Sequence, residues 1–112
     1  MKELDEYMKE REKLDEIVME YANLNIKRFY NLDSRVYHKG VIPAKYKEMM
    51  GLVASMVLRC EGCIKYHIRQ CHDKGINDEE FVEAMAIALI VGGSIVIPHL
   101  RDAFKAWNEL KN

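Results

Sequence analysis

The stretch that decides the fold runs from Arg59 to Cys71 and reads RCEGCIKYHIRQC. It holds all three cysteines of the chain and one of its four histidines. Cys60 and Cys63 stand two residues apart, His67 follows, and Cys71 closes the run. Steps of three and four residues are helical spacing. At about 100° per residue the four side chains fall within an arc of roughly 80°. One helix therefore carries all four on one stripe. It is expected to start near Cys60 or Glu61 and to end before Gly75, a natural C-terminal stop.

Outward from this stretch the helical period persists. On the N-terminal side, GVIPAKYKEMMGLVASMVL predicts a helix from Ala44 to about Leu58, entered through Pro43. Proline suits a first turn because its missing N–H needs no partner there. Met49, Leu52, Val53, Met56 and Val57 mark its apolar stripe, and Gly51 permits close packing. On the C-terminal side, Asn77 and Glu80 form a capping-box pattern, with Asp78 and Glu79 at the positive end of the helix dipole. That helix is expected to run to about Val91. Gly92-Gly93 allows a bend, and a last helix covers roughly Ser94 to Leu110, kinked or restarted at Pro98. Before the centre, Leu4, Met8, Leu14, Ile17, Val18, Tyr21 and Leu24 recur at steps of mostly three and four. They predict one long amphipathic helix over residues 3–32. No strand pattern or repeat is present. The expectation is an all-α, single-domain bundle of five to six helices spanning residues 1–112. The nearly uncharged run from Ala84 to Ile97 has little polar face, which points to burial between subunits.

Composition excludes several classes of function. Apolar residues make up 49% and charged residues 31% of the 112, enough to fold around one core. A net charge of −1 gives no bulk attraction to nucleic acid or to an anionic membrane. The N-terminus, MKELDEYMKEREKLDE, lacks the apolar segment of a secretory signal. The uncharged run Ala84–Pro98 is shorter than the ~20 residues needed to span a bilayer. A cytoplasmic protein is expected. Three cysteines without an export signal argue against a disulfide framework and for metal or redox chemistry.

The local chemistry separates the cysteines. Cys60 and Cys63 sit at a helix start, where unpaired N–H groups and the dipole favour a thiolate, the nucleophilic form. Arg59 and Lys65 add positive charge. His67 lies one turn beyond Cys63 and is placed to carry a proton. By type the set offers four zinc ligands. On one helix, however, they form a row about 16 Å long, which no tetrahedral ion spans. A site of Cys60, Cys63 and His67 with an outside ligand stays open. Cys71 alone reads as a small buried hydrophobe. His99 and Tyr66 are secondary candidates for a pocket wall. His72 should face solvent.

The stretch from Gly40 to Gly93, with its flanks from about Lys39 to Trp107, resembles the carboxymuconolactone decarboxylase superfamily in its alkylhydroperoxidase D-like branch. The resemblance rests on Glu48, eleven residues, Cys60-x2-Cys63, three residues, His67, then the GINDEEF helix start and Gly92-Gly93. It implies an oligomeric helical subunit, a homotrimer or homohexamer, that reduces hydroperoxides or disulfides with thiols and needs no cofactor or metal. Cys60 and Cys63 would cycle between dithiol and disulfide, with His67 as proton carrier and Glu48 as distal acid/base. An external dithiol would regenerate the pair. The chain departs from the hydroperoxidase D proteins in holding one helical half rather than two. It also has Glu61-Gly62 where some members place a histidine between the cysteines. The decarboxylase members generally lack paired cysteines. A lyase on the same fold and a non-catalytic, metal-binding or structural helical oligomer are the rival readings. Proximity to His67 favours Cys63 as the attacking sulfur; helix-start electrostatics favours Cys60.

Overall fold

The computed structural model describes residues 2–111. Six α-helices occur among them: α1 (Glu3–Tyr21), α2 (Leu24–Val36), α3 (Ala44–Leu58), α4 (Glu61–Asp73), α5 (Asp78–Gly92) and α6 (Ile97–Glu109). A short 3-10 turn, Ser94–Val96, joins α5 to α6. No described helix is long and apolar enough to cross a membrane.

The centre is a layer of α3, α4 and α5, with α6 closing over α4. Leu52 and Met56 of α3, Ile64, Ile68 and Cys71 of α4, and Phe81, Met85 and Ala88 of α5 share the core. Each large apolar side chain buried there contributes roughly 1.5–3 kcal/mol. Trp107 of α6 stacks on Phe81 with ring centroids 4.3 Å apart. Its indole N–H donates to Asp78 Oδ1 at 2.8 Å, which ties α6 to the start of α5. Asn77 and Glu80 form the reciprocal capping box, Asn77 Oδ1 accepting from Glu80 N–H and Glu80 Oε1 from Asn77 N–H. Pro98 lies in the first turn of α6, so the last helix restarts there and the 3-10 turn absorbs the bend.

The N-terminal third differs from expectation. The continuous helix over 3–32 is two helices. Ala22 turns to ψ 132°, and Asn23 caps α2 by accepting the Ile26 N–H at 3.0 Å. The apolar period runs through this break, so period alone conceals it. The helical conformation also runs past the expected end at residue 32, as far as Val36. α1 is anchored at its start, where Leu4 is buried and Glu109 Oε1 accepts the Leu4 N–H at 3.1 Å. α2 buries none of its residues and leaves Leu24, Phe29, Leu32 and Val36 exposed.

Candidate redox site

The site is built where α3 hands over to α4. Arg59 ends α3 in the left-handed conformation, at φ 59° and ψ 41°. It is the one non-glycine residue with positive φ among those described. The conformation costs about 1 kcal/mol or more outside glycine. It turns the chain so that the Cys60 N–H reaches Ser55 O at 3.0 Å. Cys60 then becomes the N-cap of α4, its Sγ accepting the Cys63 N–H at 3.2 Å. The two sulfurs are joined in a disulfide, with Cα atoms 5.3 Å apart. Cys63 is solvent-exposed and Cys60 half-buried. Gly62, between them, lies against α1: a Cβ there would stand 2.6 Å from the Tyr7 hydroxyl.

One turn inward, His67 is buried, at 7% exposure. Its Nδ1–H donates to Glu48 Oε1 on α3 at 2.9 Å. Glu48 is not on a solvated face; it is 2% exposed. Lys74, at the end of α4, places Nζ 3.5 Å from Glu48 Oε2. A carboxylate taken from water needs such partners, because an unpaired buried charge costs several kcal/mol. The arrangement fixes which imidazole nitrogen carries the hydrogen and leaves Nε2 as the basic one.

Nε2 faces the Tyr37 hydroxyl at 3.4 Å, with ring centroids 5.1 Å apart. Tyr37 caps α2 at its C-terminus. Burial, followed by the charges of Asp33 and Glu48, raises its pKa above the ordinary phenol value, so its proton stays on at neutral pH. Gly51 makes this approach possible. A Cβ at Gly51 would meet Tyr37 Oη at 2.7 Å and His67 Cε1 at 2.9 Å. Tyr66 presents its ring edge-on to His67 and lies beneath the Arg11 guanidinium, 3.9 Å from its centroid. Burial and the Glu48 charge raise the Tyr66 pKa as well.

The remaining candidates lie elsewhere. Cys71 is fully buried in the core, and burial, then the Glu48 charge, pushes its thiol up to about 12. Such a thiol stays protonated and unreactive at neutral pH. His99 lines a small cavity of about 130 Å³ with Glu61, Ile64, Lys65, Ile68 and Asp102, among others, away from the His67 pair. His72 is exposed, its ring edge-on to Trp107. Among the described residues no group of three or more His, Cys, Asp or Glu side chains is arranged to hold a metal ion. Tyr37 and Lys74 escape the sequence reading. Lys74 had a signal: seven residues after His67, it returns to the same side of the helix. Tyr37 had none.

The sequence profile of the Carboxymuconolactone decarboxylase family matches residues 25–109, most of the chain. The chain belongs to this family. Within it, a protein from Thermotoga maritima has been solved twice by crystallography. In the first structure it is 54% identical, with a TM-score of 0.92 over 95% of this chain and 93% of that one. In the second, identity is again 54%, the TM-score 0.91, and coverage 95% and 90%. That second structure is described as a carboxymuconolactone decarboxylase family protein put forward as a candidate in the antioxidative response. A Legionella pneumophila family member, at 19% identity and a TM-score of 0.88, covers 97% of each chain and shares the fold. A Paracoccus denitrificans protein named uncharacterized protein 4 in the cox locus is 22% identical over 82 residues, 73% of this chain and 74% of that one.

Proposed function

We propose that this carboxymuconolactone decarboxylase family protein is a thiol-dependent oxidoreductase that reduces hydroperoxides through a Cys60–Cys63 dithiol/disulfide cycle. The observation that carries the reading is the pairing of a helix-start disulfide, exposed at Cys63, with a buried His67–Glu48 couple one turn inward. Cys63 is the attacking sulfur, because it is the exposed one. Cys60 resolves. The Cys63 N–H that reaches its sulfur stabilises a thiolate there, which also makes Cys60 the better leaving group when the disulfide is opened.

The steps balance as follows. The Cys63 thiol yields its proton to His67, and the thiolate attacks the O–O bond. That bond breaks, Cys63 becomes a sulfenic acid, and the alcohol leaves with the proton. The Cys60 sulfur then displaces hydroxide from the Cys63 sulfenic acid, and a proton completes water as the disulfide forms. An external dithiol reduces the pair and is itself oxidised to a disulfide. Glu48 steadies the imidazolium during the interval, its charge held by Lys74.

The Thermotoga relative's description supports an antioxidative role for a close family member. A cytoplasmic location and a small-molecule hydroperoxide or disulfide substrate follow from the same reading. So does a homotrimer or homohexamer, supported by the uncovered apolar residues of α2 and by Ile87, Ile90 and Val91 of α5. The test is turnover of an organic hydroperoxide with a dithiol reductant. Cys63→Ser and Cys60→Ser should each abolish it. Full activity in both variants would transfer the chemistry to a thiol-independent lyase instead.

A further inference from the structure

The proton path from His67 has one unassigned end. Nδ1 is taken by Glu48, and Nε2 faces the Tyr37 hydroxyl beside the Gly51 backbone. Glu48 and His67 are buried, whereas Tyr37 is half-buried. Of the three, Tyr37 alone reaches toward solvent. At the other end, the Lys74 ammonium pairs with Glu48 Oε2 at 3.5 Å and offers no acceptor.

Tyr37 is also held in place by a separate device. Lys47, next to Glu48 on α3, donates from Nζ to Val36 O at 3.0 Å and to His38 O at 2.9 Å. These are the carbonyls on either side of Tyr37. One ammonium thus clamps the backbone that carries the phenol, while Gly51 leaves room for its hydroxyl. No residue of α2 is buried within the subunit, so the clamp contributes to holding Tyr37 where packing of α2 adds little.

We propose that Tyr37 is the third member of the relay, a positioning and proton-passing residue that acts through His67, with Lys47 as its backbone clamp. Its hydroxyl donates to Nε2 and passes protons between the imidazole and solvent, so that the imidazole can take a proton from a sulfur or return one to it. When a dithiol opens the disulfide, its thiolate forms a bond to Cys63 Sγ and the Cys60–Cys63 bond breaks. Cys60 leaves as a thiolate and receives a proton through this relay. The second thiol then displaces Cys63, which is protonated in turn, and the reductant leaves as a cyclic disulfide. The charged and titratable groups facing the relay are Glu48 on α3, Lys74 behind it, Tyr66 on α4, Asp33 in the last turn of α2, and the buried Cys71.

The inference rests on the proposed thiol cycle, but its test does not need hydroperoxide turnover. Full-length wild type, Tyr37→Phe and Lys47→Met are compared in the rate at which dithiothreitol opens the disulfide across pH, and in the ring ¹⁵N shifts of His67. Removing the hydroxyl should slow opening by about tenfold, below the 10²–10⁴ of a primary acid or base. Added imidazole should restore part of the rate, and the Nε2 resonance should move. Lys47→Met, which leaves the phenol intact, should slow opening in the same direction. Unchanged opening rates and His67 shifts in folded Tyr37→Phe would overturn the proposal. Normal relay behaviour in a protein that turns over no hydroperoxide would instead count against the proposed function alone.

Discussion

Gly51→Ala sets helix propensity against the geometry of the site. In the interior of α3, alanine is favoured over glycine by about 1 kcal/mol. On that ground alone the variant gains stability. The structure places the new Cβ 2.7 Å from Tyr37 Oη, 2.9 Å from His67 Cε1 and 3.0 Å from His67 Nε2. Ordinary carbon contacts lie near 3.5–4.0 Å. The phenol can swing outward, but the imidazole is buried and held by Glu48 at 2.9 Å. Overpacking of this kind costs about 1–3 kcal/mol. The net effect on stability is therefore between about zero and a loss of 2 kcal/mol, read from urea unfolding. Activity should change far more. Pushing Tyr37 away from His67 should lower hydroperoxide turnover by about tenfold, and displacing the imidazole as well should lower it on the order of 100-fold. A variant that is about 1 kcal/mol more stable than wild type and equally active would refute the reasoning. The backbone would then tolerate the methyl group, and the contact around Gly51 would have no functional weight.

Three further outcomes follow from the same structure. Glu48→Gln should lower stability by about 1–3 kcal/mol in thermal unfolding, because Lys74 and His67 both lose a buried carboxylate, and should cut turnover on the order of 100-fold. Asn77→Ala removes half of the α5 capping box and should cost about 1 kcal/mol without altering turnover. Cys71→Ala should leave turnover intact, and native Cys71 should resist iodoacetamide at pH 8. The thiol is raised from 9.0 to about 12, so the folded state keeps its proton where the unfolded state loses it. Stability from this group is therefore full below pH 9 and is lost as pH rises toward 12. Urea titrations should show wild type losing ground to Cys71→Ala across that window; a constant difference would count against the buried thiol's shift.

Legibility from sequence followed the range of the interactions. α3, α4 and α5 were readable because their signals are local: Pro43 at an entry, Asn77 and Glu80 as a capping box, and apolar residues at helical steps. The start of α4 was readable for the same reason. The break at Ala22–Asn23 was not, because the apolar period crosses it while a single capping side chain decides it. In the site, the register of Cys60, Cys63 and His67 along one helix was visible. Glu48 stands out only through the family resemblance, since a glutamate on an amphipathic helix has no spacing signal of its own. Tyr37 lies thirty residues before its partner, at the end of a helix that buries nothing. Its approach to His67 depends on Lys47 and Gly51 together, and no periodicity encodes that.

The central claim is that hydroperoxide oxidises Cys60 and Cys63 as a pair. Reduced protein treated with one equivalent of an organic hydroperoxide, quenched with iodoacetamide and mapped by peptide mass spectrometry tests it directly. The expected result is a two-hydrogen loss joining Cys60 to Cys63, reversed by dithiol, with Cys71 protected. In Cys60→Ser, a sulfenic acid should accumulate on Cys63. Three unmodified thiols after hydroperoxide treatment, or oxidation confined to Cys71, would contradict the account.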